Sequence, residues 1–167
     1  MTENATAGRD EFREAMSRLG AAVNIITTRG AEGDTGFTAS AVCSVTDSPP
    51  TVLVCMNKNN RQHETFKAAG ILCVNVLAHE DESLSPVFAG AGNFSMDERF
   101  TRATWKRLAT GAPVLETAAA ALDCKIDQIV EVGTHSVLFC QVQAIHLGPT
   151  KSGLIYHGRT YHRVATA

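Results

Sequence analysis

Residues 121–145 read ALDCKIDQIVEVGTHSVLFCQVQAI. Leu122, Cys124 and Ile126 alternate with Asp123, Lys125 and Asp127, which is the two-residue period of a half-buried strand. Gly133-Thr134-His135 makes the turn. Leu138, Cys140, Val142 and Ala144 then alternate with polar or mixed partners through Ile145. Upstream lie shorter β-like runs rich in Val, Ile, Thr or Cys and bounded by turn residues: Ala21 to Thr28, Gly36 to Val45, Thr51 to Met56 and Ile71 to Leu77. Downstream, a last strand is expected over Leu154 to Tyr161. Three helices are expected between the strands. Asp10 caps one that runs through Leu19, with Phe12, Met16 and Leu19 at helical spacing. Asn59 or Asn60 caps a second that runs through Phe66 to Ala69 and is closed by Gly70. A third, short helix covers Ser83 to Phe88. Residues 89–113 read as a loop-rich excursion with one strand near Trp105. Strand follows strand with few helices, so the expected fold is mainly β with flanking helices. An antiparallel closed or Greek-key barrel suits this better than a doubly wound parallel sheet.

The 167 residues are the length of one ordinary domain, and a single domain over 1–167 is expected, with residues 1–9 as a tail. Hydrophobic residues make up 44% and charged residues 19%, the composition of a chain with a core. Fifteen Lys+Arg against 17 Asp+Glu leave a net charge of -2. That balance lacks the basic surplus that nucleic acid or an anionic membrane surface selects. No apolar run is long enough to span a bilayer, and the polar N-terminal stretch has no apolar signal core, so the expected place is the cytoplasm. The Asn4-Ala5-Thr6 and Asn93-Phe94-Ser95 glycosylation patterns then read as chance matches. The five cysteines form no C-x-x-C and sit mostly in apolar runs. They read as reduced core residues, with one reactive thiol as the alternative.

Five segments carry candidate chemistry. GFTASAVCSVTDSPP, residues 36–50, offers hydroxyls and a Pro-Pro turn to a phosphate or a polar ribityl chain, or is an exposed strand face. Cys55-Met56-Asn57-Lys58-Asn59-Asn60-Arg61 ends a strand in amides and two cations that can neutralise a phosphate, or caps a helix. His135 stands at a hairpin turn, as a binding group or as a surface histidine. The six histidines show no metal-ligand spacing, so no metal is expected. Gly90-Ala91-Gly92 begins like a dinucleotide fingerprint but lacks the third glycine and a preceding strand, and is rejected. No G-x-S-x-G elbow exists. In residues 154–162, LIYHGRTYH, Tyr156, Tyr161 and Arg159 can stack on and pair with a nucleotide, or edge a terminal strand.

Taken in order, these segments resemble the flavin reductase family with the FMN-binding split barrel. The resemblance runs from about Phe12 to Arg163. It is carried by Phe12-Arg13 with Met16 and Leu19-Gly20, AAVNIITT, GFTASAVCSVTDSPPTVLVC, LCVNVL, ERF with Trp105, LDCKI, VGTHSVLFC and GLIYHGRTYH. GAAVNIITT, GFTASAVCSVTD, PPT and VGTH resemble the pyrimidine-utilisation (uracil-degrading) branch very closely. They resemble the reductases of phenol or 4-hydroxyphenylacetate hydroxylases less closely.

The resemblance implies an NAD(P)H-dependent enzyme. It would pass a hydride from NADH (NADPH as the alternative) to N5 of FMN (FAD as the alternative) and supply reduced flavin to a separate monooxygenase. It implies that Asp34, Thr35, Gly36, Phe37, Thr38 and Ser40 lie along the flavin, and that Cys55, Met56 and Asn57 line the ring and ribityl chain. Arg61 falls at the phosphate end, and Phe88 packs near the flavin. His135 falls in the nicotinamide pocket, while Tyr156, Arg159 and Tyr161 lie in the segment that meets the pyridine nucleotide. Many relatives carry an acidic residue just before that histidine, where this chain has Thr134. A homodimer is implied by the resemblance alone. Two rivals belong to other classes: a pyridoxamine-phosphate-oxidase-like enzyme, which wants a denser basic pocket, and a non-catalytic flavin-binding module.

Overall fold

A computed structural model describes residues 6–165. In chain order the elements are α1 (Arg9–Ser17), β1 (Ala21–Ala22), β2 (Asn24–Gly30), β3 (Gly33–Ala39), β4 (Val42–Asp47), β5 (Pro50–Asn57), α2 (His63–Ala69), β6 (Ile71–Val76), α3 (Leu84–Phe88), α4 (Met96–Phe100), β7 (Trp105–Arg107), β8 (Pro113–Leu115), β9 (Ala120–Val132), β10 (His135–Leu147), β11 (Gly153–His157) and β12 (Thr160–Val164). The expected tail over 1–9 lies outside the described residues as far as residue 5, as does most of the Asn4-Ala5-Thr6 pattern. Arg9 already belongs to α1.

Seven strands form one antiparallel sheet in the order β3-β2-β6-β9-β10-β5-β4. β3 and β4 are its two edges, yet only Ser40 and Ala41 separate them in the chain. A two-residue link forces the edges together, so the sheet must curl into a barrel. Two register shifts in the β9–β10 pair, at Phe139/Cys140 and Val142/Ala144, are the kind of irregularity that bends and twists long strands. Side chains from across the sheet meet inside: Phe37 of β3, Val54 and Met56 of β5, Leu72 and Val74 of β6, and Leu138 and Cys140 of β10. α2 plugs one end with Phe66, which is fully buried and meets Phe37 edge-on at 5.3 Å. Burying one such side chain is worth about 1.5–3 kcal/mol.

A second core covers the outer face of β2, β6 and β9. Ile25, Cys73 and Ala121 point into it from the sheet, and α3, β7 and β8 close it with Phe88, Val114 and Leu115. Phe88, Phe100 and Trp105 pack there at 4.8–5.8 Å between ring centroids. β6 is therefore covered on both faces, and its one polar residue, Asn75, is fully buried and donates to the Ile25 carbonyl at 3.0 Å. Asp123 departs from its expected solvent-facing place for the same reason. It is fully buried and accepts hydrogen bonds from the backbone N–H of Thr110, at 2.8 Å, and from the Thr110 hydroxyl.

Several boundaries move. Gly8, not Asp10, precedes α1, and Asp10 lies in its first turn. The expected run over Gly36 to Val45 splits at Ser40-Ala41. The expected last strand is a hairpin, β11–β12, turned by Gly158 and Arg159, both at positive φ. α4 falls inside the expected loop, with a capping box between Ser95 and Glu98. Gly70 closes α2 at φ 66, as its sequence implies.

Candidate flavin and nicotinamide site

A cleft of about 1060 Å³ opens on the outer face of the barrel. α1 forms one wall with Asp10, Arg13 and Met16, and Leu19 to Ala22 continue it. The β3–β4 link and β4 supply Ser40, Ala41, Val42 and Cys43, and β5 supplies Leu53 and Cys55. The β11–β12 hairpin closes the rim with Tyr156 and Arg159. Parity explains this set. On β5, Val52, Val54 and Met56 face the barrel core, so Leu53 and Cys55 face out.

Contacts to the hairpin fix the α1 wall. The Gly158 N–H donates to the Ser17 carbonyl at 2.7 Å, and Arg159 Nη1 donates to Glu14 Oε2 at 2.8 Å. Hydrogen bonding and charge from Arg159 hold the Glu14 carboxyl below its ordinary range. No residue of α1 is buried, although Phe12, Met16 and Leu19 share one apolar face. The Tyr156 ring packs on Tyr161 at 5.3 Å.

His135 opens β10 beside this cleft. It pairs with Asn57, and the next same-face pair is Val137 with Cys55. His135, Asn57, Cys55 and Leu53 thus share one face of the β5–β10 ladder. Oγ1 of Thr134 lies 2.9 Å from His135 Nδ1. Nδ1 is engaged, which leaves Nε2 as the ring's outward group.

The structure brings Ser40, Cys55, Tyr156 and Arg159 together in the cleft and sets Asn57 and His135 beside it. Lys58 is committed to Glu131 at 3.0 Å. Arg61 is exposed in the turn before α2 and makes no ion pair among the described residues. Other expected side chains point elsewhere. Phe37 and Met56 fill the barrel core, one strand position out of phase with the cleft. Phe88 belongs to the second core. Gly36 packs against β2 and Phe88: a Cβ there would lie 2.9 Å from the Ile26 carbonyl. The Thr38 hydroxyl donates to the Ser85 carbonyl at 2.6 Å, and Tyr161 meets Ser85 Oγ at 2.8 Å, so both tie β strands to α3. Asp34 and Thr35 line a separate cleft of about 750 Å³, where Asp34 is ion-paired with Arg29 and Arg107.

α1 is the part of the site that residue-by-residue reading missed. Its signal was present: an apolar stripe with Arg13 on a helix that nothing buries. Cys55 is the half-buried free cysteine at the cleft. Burial, then the neighbouring Cys43, push its thiol up, away from thiolate. Burial pushes Cys140 up to about 12, and Cys73 and Cys124 are raised likewise.

A large cleft with an apolar floor, the hydroxyls of Ser17, Ser40 and Tyr156, and two arginines suits a ligand that is part planar ring and part anion. The comparisons with known proteins agree. Residues 16–165 match the family model described as flavin reductase like domain. A protein of Variovorax paradoxus (strain S110), named FMN reductase (NADH) RutF, is 55% identical over 155 residues, 93% of this chain and 85% of the relative. The crystal structure of a protein from Haemophilus somnus 129PT, described as a flavin reductase, superposes with a TM-score of 0.91 at 48% identity, covering 95% of this chain and all of that one. The NADH:FAD oxidoreductase SgcE6 of Streptomyces globisporus, in complex with NAD and FAD fragments, superposes with a TM-score of 0.85 at 29% identity, covering 94% and 93% of the two chains. The curled seven-stranded sheet is their split barrel, and this chain belongs to the flavin-reductase-like domain family.

Proposed function

We propose that this chain is an NADH-dependent FMN reductase that hands reduced flavin to a separate monooxygenase. One observation carries the reading: His135 stands on the same sheet face as Cys55 and Asn57, at the edge of a cleft large enough for a flavin. The Variovorax relative's name favours FMN over FAD and NADH over NADPH.

The chain's own groups fit both ligands. Leu53 and Cys55 give an apolar floor that excludes water from one side of a planar ring. The Ser40 hydroxyl serves a ribityl chain. Arg13 and Arg159 at the wall and rim, with Arg61 beyond Asn57, serve phosphates. Tyr156 presents a ring face for stacking. His135, steadied by Thr134, offers Nε2 to the nicotinamide. When bound, the flavin ring supplies the redox chemistry by accepting a hydride at N5 from the dihydronicotinamide. The protein's share is alignment and exclusion of water. An open cleft suits a flavin that leaves after reduction.

The oxygenase served is, on sequence resemblance, a pyrimidine (uracil) oxygenase, with an aromatic-compound hydroxylase as the second reading. The five free cysteines suit a reducing, cytoplasmic setting. Among the described residues no helix is long and apolar enough to cross a membrane. The active form in this reading is a homodimer of single-domain chains. Its support is the apolar outer face of β9 and β10, where Val130 and Val132 are 37% and 57% exposed beside half-buried Val137 and Phe139.

His135→Ala tests the site. NADH oxidation should fall by about tenfold or more while FMN affinity, read by flavin fluorescence, stays within about twofold. Unchanged NADH turnover would remove His135 from the nicotinamide pocket.

A further inference from the structure

The β11–β12 hairpin turns over two residues. His157 pairs with Thr160, so Gly158 and Arg159 alone make the loop, at φ 58 and 62. A two-residue hairpin with both central φ positive favours glycine, asparagine or aspartate at these positions. Gly158 meets that demand. Arg159 does not: it sets a long charged side chain on a left-handed backbone, where a Cβ crowds its own chain. Strain kept at the rim of a cleft points to a side chain that is wanted in that place.

Both loop residues are tied to α1. The Gly158 N–H donates to the carbonyl of Ser17, the last residue of the helix, at 2.7 Å. Arg159 Nη1 donates to Glu14 Oε2 at 2.8 Å, and the other oxygen of Glu14 accepts from Arg18 Nη2 at 3.4 Å. A guanidinium carries five N–H donors in a planar fork. Among the described residues, Nε and Nη2 of Arg159 have no partner, and its side chain is 60% exposed where it lines the cleft. Arg13 precedes Glu14 in α1, lines the same cleft and has no ion-pair partner among the described residues. Asp10, one turn earlier, is the carboxylate among the described lining residues.

Two guanidiniums meet where α1 touches the hairpin, which suits two linked phosphates. FMN has one phosphate, for which Arg61 lies free, whereas a pyridine dinucleotide has two in series. We propose that Arg13 and Arg159 bind the diphosphate of the pyridine nucleotide, and that Glu14 is a positioning residue acting through Arg159. Glu14 holds one edge of the guanidinium and leaves the other turned to the cleft. An exposed ion pair adds little to stability by itself, so its effect lies in where the guanidinium points. This assignment rests on the reading of the cleft as the site of an NADH-dependent FMN reductase.

A double-mutant cycle in KM for NADH, at saturating FMN, tests the link. Arg159→Ala should raise KM about tenfold, the loss of a charge-assisted hydrogen bond. Glu14→Ala should raise it about fivefold, with kcat and FMN affinity within about twofold in both variants. Glu14→Gln keeps an oxygen acceptor and should stay within about twofold of the wild-type KM. The double variant should be no worse than Arg159→Ala, because Glu14 acts only through Arg159. Additive losses would overturn the positioning role. Exchanging the charges, Glu14→Arg with Arg159→Glu, restores an ion pair between helix and hairpin, yet KM should remain at least as high as in Arg159→Ala. A swap that restores KM would reduce the pair to a tether for α1 and overturn the proposal. Loss of FMN affinity at unchanged KM would also overturn it, by giving the arginines to the flavin phosphate. Arg159→Asn relaxes the turn and should hold or raise the unfolding temperature while KM rises. A lower unfolding temperature with unchanged KM would mean that Arg159 serves the fold alone. NAD+ titrated into the flavin-free chain, followed by NMR shifts, repeats the cycle without turnover. If NAD+ binding shows the cycle and NADH is not oxidised, the reductase reading has failed and the clamp stands. If NADH is oxidised and Arg159→Ala keeps the wild-type KM, the clamp has failed and the reading stands.

Discussion

His135 is a residue whose neighbours matter as much as its ring. Thr134 engages Nδ1, and Asn57 pairs with it across the sheet. Arg61, by contrast, reaches into solvent with no ion-pair partner among the described residues. A free guanidinium in the turn between β5 and α2 is a phosphate group's natural counterpart. Arg61→Ala should therefore weaken FMN several-fold and riboflavin little, as read by fluorescence titration of both. Equal loss for the two ligands would remove the phosphate role. Adjacent residues of one expected site segment part company in the sheet. Cys55 and Met56 stand side by side in the string and resemble flavin contacts equally. In the strand they face opposite ways, so Cys55 lines the cleft and Met56 fills the core. The string of residues carries the segments, and side-chain direction needed the sheet.

At the scale of elements, β9 and β10 were legible because half-buried strands alternate. The alternation misled only at Asp123, where residues distant in sequence cover the second face and supply Thr110 as partner. α4 was missed although Ser95 and Glu98 carry its capping signature, because five residues give too little periodicity to stand out from a loop. α1 was read as an ordinary amphipathic helix. Its apolar face in fact remains uncovered along the cleft, and no local pattern distinguishes a helix that packs from one that borders a ligand. Glu131 carries a stability prediction for the β9–β10 hairpin and its link to α2. Lys58 and Ser136 lower its carboxyl from the ordinary 4.5 to about 2. A depressed carboxyl stabilises the fold above its ordinary value, and that contribution is lost as pH falls toward the folded value. Glu131→Gln should lower the unfolding temperature near neutral pH, and its gap from the wild-type chain should close between about pH 4.5 and 2. A gap that stays constant with pH would place the effect elsewhere than on this charge.

The whole molecule is a barrel whose edges are joined by two residues, with a cleft walled by a helix that nothing buries. The net charge of -2 gives no general pull on nucleotides, so placed arginines and backbone groups must hold them. The uncovered valines of β9 lie on the sheet's outer face, close to His135. If a second copy covers them, sedimentation should give a dimer. Val132→Glu should then yield a monomer with weakened flavin binding; a wild-type monomer that still reduces flavin would refute the dimeric reading. The central claim is simpler than the assembly. The purified chain, mixed with NADH, is followed by the loss of reduced-nicotinamide absorbance with and without added FMN. The account predicts rapid NADH oxidation that requires FMN and yields reduced flavin under anaerobic conditions. FMN that binds the chain without accelerating NADH oxidation would contradict it and leave a flavin-binding module in place of a reductase.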